Sequence, residues 1–235
     1  MNPSVTGKVH SVETFGTLDG PGIRYVLFLQ GCPLRCLYCH NPDTRMIGAG
    51  TERCAGDVLA DILTYRKFIR SGGVTLSGGE PLLQPEFARA VLEGCKENGL
   101  HTALDTSGAV PLEISRPLLE LADLVLLDIK ALDDTLCETL TGMGNRNTLA
   151  TLDYCEAIGK PVWIRHVLVP GYTLDDARLT QLAEYLKNVT VVQKVELLPF
   201  HKMGEYKWEK LGYAYILSQT PEPTEAEVRQ AHAKF

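Results

Sequence analysis

Three cysteines within eight positions carry the most evident chemistry of the chain, in the run Gly31-Cys32-Pro33-Leu34-Arg35-Cys36-Leu37-Tyr38-Cys39-His40. Thiolates are soft ligands, and close spacing lets one loop wrap one metal centre. Two readings follow. A zinc site would add one histidine to the three thiolates, and His40 is the nearest candidate. A 4Fe–4S cluster normally takes four cysteines. No fourth follows nearby, so three ligands would leave one iron open, and an open metal position is where substrate chemistry takes place. The remaining cysteines, Cys54, Cys95, Cys137 and Cys155, lie singly and far apart and read as small buried or half-buried apolar residues.

Other polar residues recur just after short apolar runs. In Ser77-Gly78-Gly79-Glu80-Pro81 the two glycines allow a ligand close to the backbone, and Glu80 can accept charge-assisted hydrogen bonds from an ammonium group. An ordinary strand-to-helix turn uses the same residues. Asp105-Thr106 fits a cap or turn. Asp128-Ile129-Lys130 follows the apolar run Leu124–Leu127 and reads as a rim ion pair or as a ligand site, with Lys130 able to meet a carboxylate as a point charge. Arg165 and His166 interrupt an apolar strand, where alternation sends them to opposite faces. His201, alone, reads as structural, and Trp163 and Trp208 as packing residues.

These residues need elements to position them. Short β-rich runs at Arg24–Leu29, Gly73–Ser77, His101–Asp105, Leu124–Ile129, Val162–Leu168 and Lys194–Leu198 alternate with helical patterns. The helices fall at Gly56–Ile69, Pro85–Asn98, Glu113–Leu121, Asp133–Leu140, Leu149–Ile158 and Leu174–Lys187, with a last one at Thr224–Ala233 capped by Thr224 and Glu227. Such alternation predicts βαβ units and a parallel sheet, as an open doubly wound sheet or a partial barrel. Either way the strand C-termini share one rim, and the polar residues above fall on it.

The 235 residues, 45% hydrophobic, suit one domain over 1–235. A net charge of −6 argues against a chain-wide pull on nucleic acid or anionic membrane. No segment approaches the roughly 20 apolar residues of a membrane helix, and the N-terminal residues lack the apolar core of a signal peptide. The expected location is the cytoplasm, where thiols stay reduced.

Cys-x3-Cys-x2-Cys with an aromatic before its last cysteine resembles the signature of the radical S-adenosylmethionine superfamily. The lead-in Gly20-Pro21-Gly22-Ile23-Arg24, then Phe28 and Gly31-Cys32, resembles its glycyl-radical-enzyme activating family. The resemblance covers nearly the whole chain and implies a partial (β/α)6 TIM-like barrel with its site at the C-terminal rim. It implies a 4Fe–4S cluster on Cys32, Cys36 and Cys39 whose open iron holds S-adenosylmethionine. Reductive cleavage of that cosubstrate and hydrogen abstraction from a glycine of a partner enzyme would follow. The implied cosubstrate residues are Tyr38, Cys39, His40, Gly78, Gly79, Glu80, Asp128, Ile129, Lys130 and His201. A monovalent cation is implied at Asp105, Thr106 and Asp128, and Arg165 is implied near the substrate peptide. The chain lacks the further cysteine pairs of many family members. That absence, with Thr64-Tyr65-Arg66 and the stretch His201–Trp208, resembles the compact activators of pyruvate formate-lyase, with those of anaerobic ribonucleotide reductase as the alternative. A flavodoxin- or ferredoxin-type electron donor is implied as well.

Overall fold

The computed structural model describes residues 1–235. Its strands are β1 (Thr6–Gly16), β2 (Arg24–Leu29), β3 (Thr51–Cys54), β4 (Gly73–Gly78), β5 (Thr102–Thr106), β6 (Leu124–Asp128), β7 (Val162–Leu168) and β8 (Val192–Pro199). The helices are α1 (Ala55–Thr64), α2 (Pro85–Glu97), α3 (Leu112–Leu121), α4 (Asp134–Thr141), α5 (Arg146–Ala157), α6 (Asp176–Leu186), α7 (Glu205–Lys210) and α8 (Glu225–His232). One open sheet runs in the order β3-β1-β2-β4-β5-β6-β7-β8. From β2 to β8 all pairs are parallel, which gives the expected partial (β/α)6 barrel, open rather than closed.

Two strands lie outside the expected set. β1 and β3 add antiparallel to the edge beside β2. β3 is Thr-Glu-Arg-Cys, four residues without a β-branched aliphatic, and β1 is largely half-exposed, so neither presents the apolar run that marks the parallel strands. The helix expected over Gly56–Ile69 stops at Thr64. Ile69 is buried, which extends the apolar period, but the Tyr65–Gly72 backbone closes separate turns from Phe68 N to Tyr65 O and from Gly72 N to Ile69 O.

The helix ends follow local rules. Asp133 and Asp175 accept the Leu136 and Arg178 amides at the starts of α4 and α6. Thr224 and Glu227 form the expected capping box of α8. Gly142 ends α4 at φ 78°, the left-handed conformation that favours glycine.

The sheet has two unlike faces, because successive side chains alternate. Tyr25, Leu27, Leu29, Val74, Leu76, Leu104, Val125, Leu127, Val162 and Ile164 join the 33-residue core packed beneath the helices. The alternate positions face the concave side. There Ala103, Leu124 and Leu126, with Trp163, form only a small apolar floor. One row nearer the strand C-termini, the same face carries Ser77, Asp105, Asp128, Arg165 and Glu196, in neighbouring register. The fold therefore supplies a dry outer core and a charged rim over a shallow floor. No helix is long and apolar enough to cross a membrane.

Candidate active site

The cysteine loop leaves β2 through Gly31, at φ 100°, and is tied on both flanks. Gly31 N donates to Thr44 O at 2.7 Å and Cys32 N to Arg45 O at 3.3 Å, while Arg35 N and Leu37 N donate to Thr141 O and Leu140 O at the end of α4, at 2.6 and 2.9 Å. The Arg45 guanidinium donates to Cys36 O, and Trp208 Nε1–H to Cys39 O at 2.9 Å. All seven cysteines are free. Burial pushes the Cys32 thiol up to about 11, reinforced by the charge of Glu80, and the Cys36 thiol up to about 12. Cys32 and Cys36 each also feel the charge of the other cysteines of the loop.

The donor set fits a cluster. Three thiols on one loop are soft ligands in a buried site, and a bound cation deprotonates such thiols. His40 is engaged elsewhere: its ring stacks on His201 with centroids 4.1 Å apart, and its Nε2–H donates to His201 O at 3.1 Å. Burial, with the neighbouring His201, holds the His40 pKa below its ordinary value.

The Gly78-Gly79-Glu80 segment lies against the root of the cysteine loop. Gly79 N donates to Leu29 O at 2.9 Å and Glu80 N to Gly31 O at 2.8 Å. The approach is so close that a Cβ on Gly79 would stand 2.2 Å from Gly31 O, and one on Gly78 2.3 Å from Leu29 N. Glu80 is fully buried and accepts four hydrogen bonds. Thr106 Oγ1 at 2.7 Å and Leu82 N at 3.2 Å reach Oε1, and Ser107 N at 3.0 Å and Ser107 Oγ at 2.5 Å reach Oε2. Its four lone-pair sites are thus filled from within the protein, and burial raises its pKa against the pull of those donors. Glu80 bolts the end of β4 to the end of β5. Ser107, which the sequence reading passed over, is half of that bolt.

The remaining carboxylates have basic partners. Asp105 accepts from Ser77 Oγ at 2.5 Å and meets Arg165 Nη1 at 3.2 Å. Arg165 also approaches Glu196 at 3.6 Å and donates to Leu18 O at 3.2 Å, and the Asp105 charge leads several carboxylates in holding it protonated. Asp128 pairs with Lys130 at 2.9 Å, and Lys130 Nζ stands 5.8 Å from the Tyr38 ring centre. Arg165 therefore lies on the concave face, and His166 on the other, where Nδ1 bonds Ile129 O at 2.7 Å. The two carboxylates expected around a monovalent cation are each already neutralised by a basic side chain, and Thr106 Oγ1 is committed to Glu80. Glu196 and Asp19 complete the charged rim; neither stands in a recognisable motif.

Three buried side-chain polar atoms here make neither a hydrogen bond nor an ion pair, Tyr38 Oη, Arg45 Nε and His201 Nδ1, while Asp105 Oδ1, Arg165 Nε and Glu196 Oε2 meet only in the ion pairs with Arg165. Native proteins leave few such groups. Tyr38 Oη and His201 Nδ1, on and beside the cysteine loop, thus remain free to meet a polar ligand.

Residues 26–183 match the model of the radical SAM superfamily. A pyruvate formate-lyase-activating enzyme of Streptococcus mutans is 48% identical over 97% of this chain and 90% of its own length. A pyruvate formate-lyase 1-activating enzyme of Escherichia coli is 44% identical over 94% of this chain and 91% of its own. Among solved structures, a domain of a pyruvate-formate lyase-activating enzyme from Bacteroides vulgatus superposes with a TM-score of 0.58 at 28% identity, over 69% of this chain and 92% of that one. SuiB of Streptococcus suis, bound to its precursor peptide, superposes at 0.69 over 94% of this chain and 46% of its own, and at 18% identity it speaks for the fold alone. The chain belongs to the radical SAM superfamily and, within it, to the family of pyruvate formate-lyase-activating enzymes. Its cofactors are accordingly a 4Fe–4S cluster and S-adenosylmethionine, and it is an oxidoreductase.

Proposed function

We propose that this chain activates pyruvate formate-lyase by taking a hydrogen atom from one glycine of that enzyme and leaving a backbone radical. The observation that carries this reading is one loop with three thiols beside a charged rim, on a chain so similar to known activators. When bound, the cluster supplies the electron that cleaves S-adenosylmethionine. Cys32, Cys36 and Cys39 hold the cluster. Tyr38, His40, Gly78, Gly79, Asp128, Ile129, Lys130 and His201 cradle the cosubstrate, and Glu80 fixes the backbone that meets its amino group. Lys130, whose charge reaches the Cys36 thiol, draws the cosubstrate carboxylate. A monovalent cation at Asp105, Thr106 and Asp128 would compete there with Arg165, Glu80 and Lys130 for the same oxygens, and Arg165 lies on the face the substrate peptide would meet. No side chain acts as acid or base; the residues bind, orient and exclude water.

The open edge of the barrel admits the glycine loop of the target. We place the protein in the cytoplasm, as a single domain served by a flavodoxin- or ferredoxin-type donor. Anaerobic incubation of the reduced, cluster-loaded protein with S-adenosylmethionine and pyruvate formate-lyase tests the reading. A glycyl radical doublet in the electron paramagnetic resonance spectrum supports it. A doublet only with anaerobic ribonucleotide reductase would move the assignment to that target.

A further inference from the structure

Arg45 is a buried guanidinium without a carboxylate. It is 8% exposed, and its Nε has no partner. The acidic residue closest to it in sequence, Asp43, is taken by Lys207 and His10. What holds Arg45 is the face of Trp208, 4.3 Å from its Cζ, and the carbonyl of Cys36. Arginine is almost never fully buried unless paired, because taking the charge out of water costs several kcal/mol. A cation–π contact and one carbonyl offset part of that. Arg45 forms no salt bridge, and its side chain is fastened to the cysteine loop itself. Three thiolates around a 4Fe–4S cluster carry net negative charge, and that charge grows by one on reduction. Net charge, hydrogen bonding and burial set the potential of such clusters.

We propose that Arg45 is the counter-charge of the cysteine loop. Held by Trp208 and the Cys36 carbonyl, it favours the reduced cluster over the oxidised one and so raises the reduction potential. The inference rests on the reading of Cys32, Cys36 and Cys39 as cluster ligands. Its site is built from both ends of the chain, since Trp208 arrives on α7 and also donates to Cys39 O.

The test is a potentiometric titration of the anaerobically reconstituted protein, followed by electron paramagnetic resonance, with iron content measured on the same samples. Arg45→Gln keeps a donor for Cys36 O and loses the charge; Arg45→Met loses both; Arg45→Lys keeps the charge. The neutral variants are expected to shift the one-electron equilibrium toward the oxidised cluster at least tenfold, a midpoint about 59 mV more negative. Arg45→Lys is expected to recover most of that shift. Iron held by Arg45→Lys but by neither neutral variant would support the same conclusion. A midpoint in Arg45→Gln equal to wild type at equal iron content would overturn the proposal. So would an Arg45→Lys variant that shifts as far as Arg45→Gln, or one that folds but holds no iron. Wild-type protein that takes up no iron would instead defeat the cluster reading beneath it, a distinct result.

Discussion

Cys32 and Cys36 sit where burial keeps their thiols protonated, up to about 11 and about 12. Cluster ligation must therefore expel protons, since metal binds thiolate. Loading iron and sulfide into the protein near neutral pH should release them, and a pH-stat should record at least two protons per cluster beyond those given up by the hydrosulfide incorporated; no such excess would contradict the assignment. His166 is a second titrating residue with a clear sign. Burial holds its imidazole below the ordinary value, against the partial support of Ile129 O, so the folded chain keeps it neutral. The unfolded chain takes a proton there below about pH 6.5, so this stability is present above that pH and lost as pH falls through it. His166→Asn should lose less stability than wild type between about pH 7.5 and pH 5.5 in urea titrations, while His40 and His101, also lowered, keep a residual slope in both. At this scale the crowding of the three cysteines and the run of polar residues at strand ends were legible, because both are sequence properties. Which group answers which was not: Glu80 with Ser107, and Arg165 with Asp105 and Glu196, are pairings across neighbouring strands that no single segment records.

Among the elements, the parallel strands and their helices could be read from apolar runs and turn residues, most boundaries falling within a few residues of the structure. β1 and β3 could not, since antiparallel strands with one face toward solvent carry no such run. Nor could α7, whose six residues bring Trp208 onto the loop. Trp208 reads as packing, and it does pack, against Tyr213 and Tyr215 with centroids 6.4 and 5.3 Å away. Its indole N–H adds the bond to Cys39 O. Trp208→Ala should cost about 3–5 kcal/mol, and Trp208→Phe much less while still losing the bond. Thermal melting separates the two, and Trp208→Phe should lose cluster iron faster than wild type under a chelator. Gly79→Ala tests the other wall of the loop. Its Cβ has no room before Gly31 O, so iron content and melting temperature should fall together; an unaltered pair would show the backbone gives way freely.

Taken whole, the molecule is an open half-ring whose outer face is apolar and whose inner face is charged. Arg165 draws β5, β7 and β8 together through Asp105 and Glu196, and burial with the Asp105 charge raises the pKa of Asp19 nearby. Arg165→Met would leave those carboxylates facing one another, at a cost of about 3–5 kcal/mol. Urea denaturation should show that loss, with partial recovery in Arg165→Lys. The barrel class followed from strand–helix alternation together with the cysteine signature; alternation alone left a doubly wound sheet equally open. The central claim is a three-cysteine cluster with an open iron that takes S-adenosylmethionine. The most direct measurement is the electron paramagnetic resonance spectrum of the reduced, reconstituted protein before and after adding S-adenosylmethionine, with 5′-deoxyadenosine and methionine assayed in the same tube. A changed cluster signal and both products are expected. A cluster spectrum indifferent to S-adenosylmethionine, with neither product formed, would contradict the account.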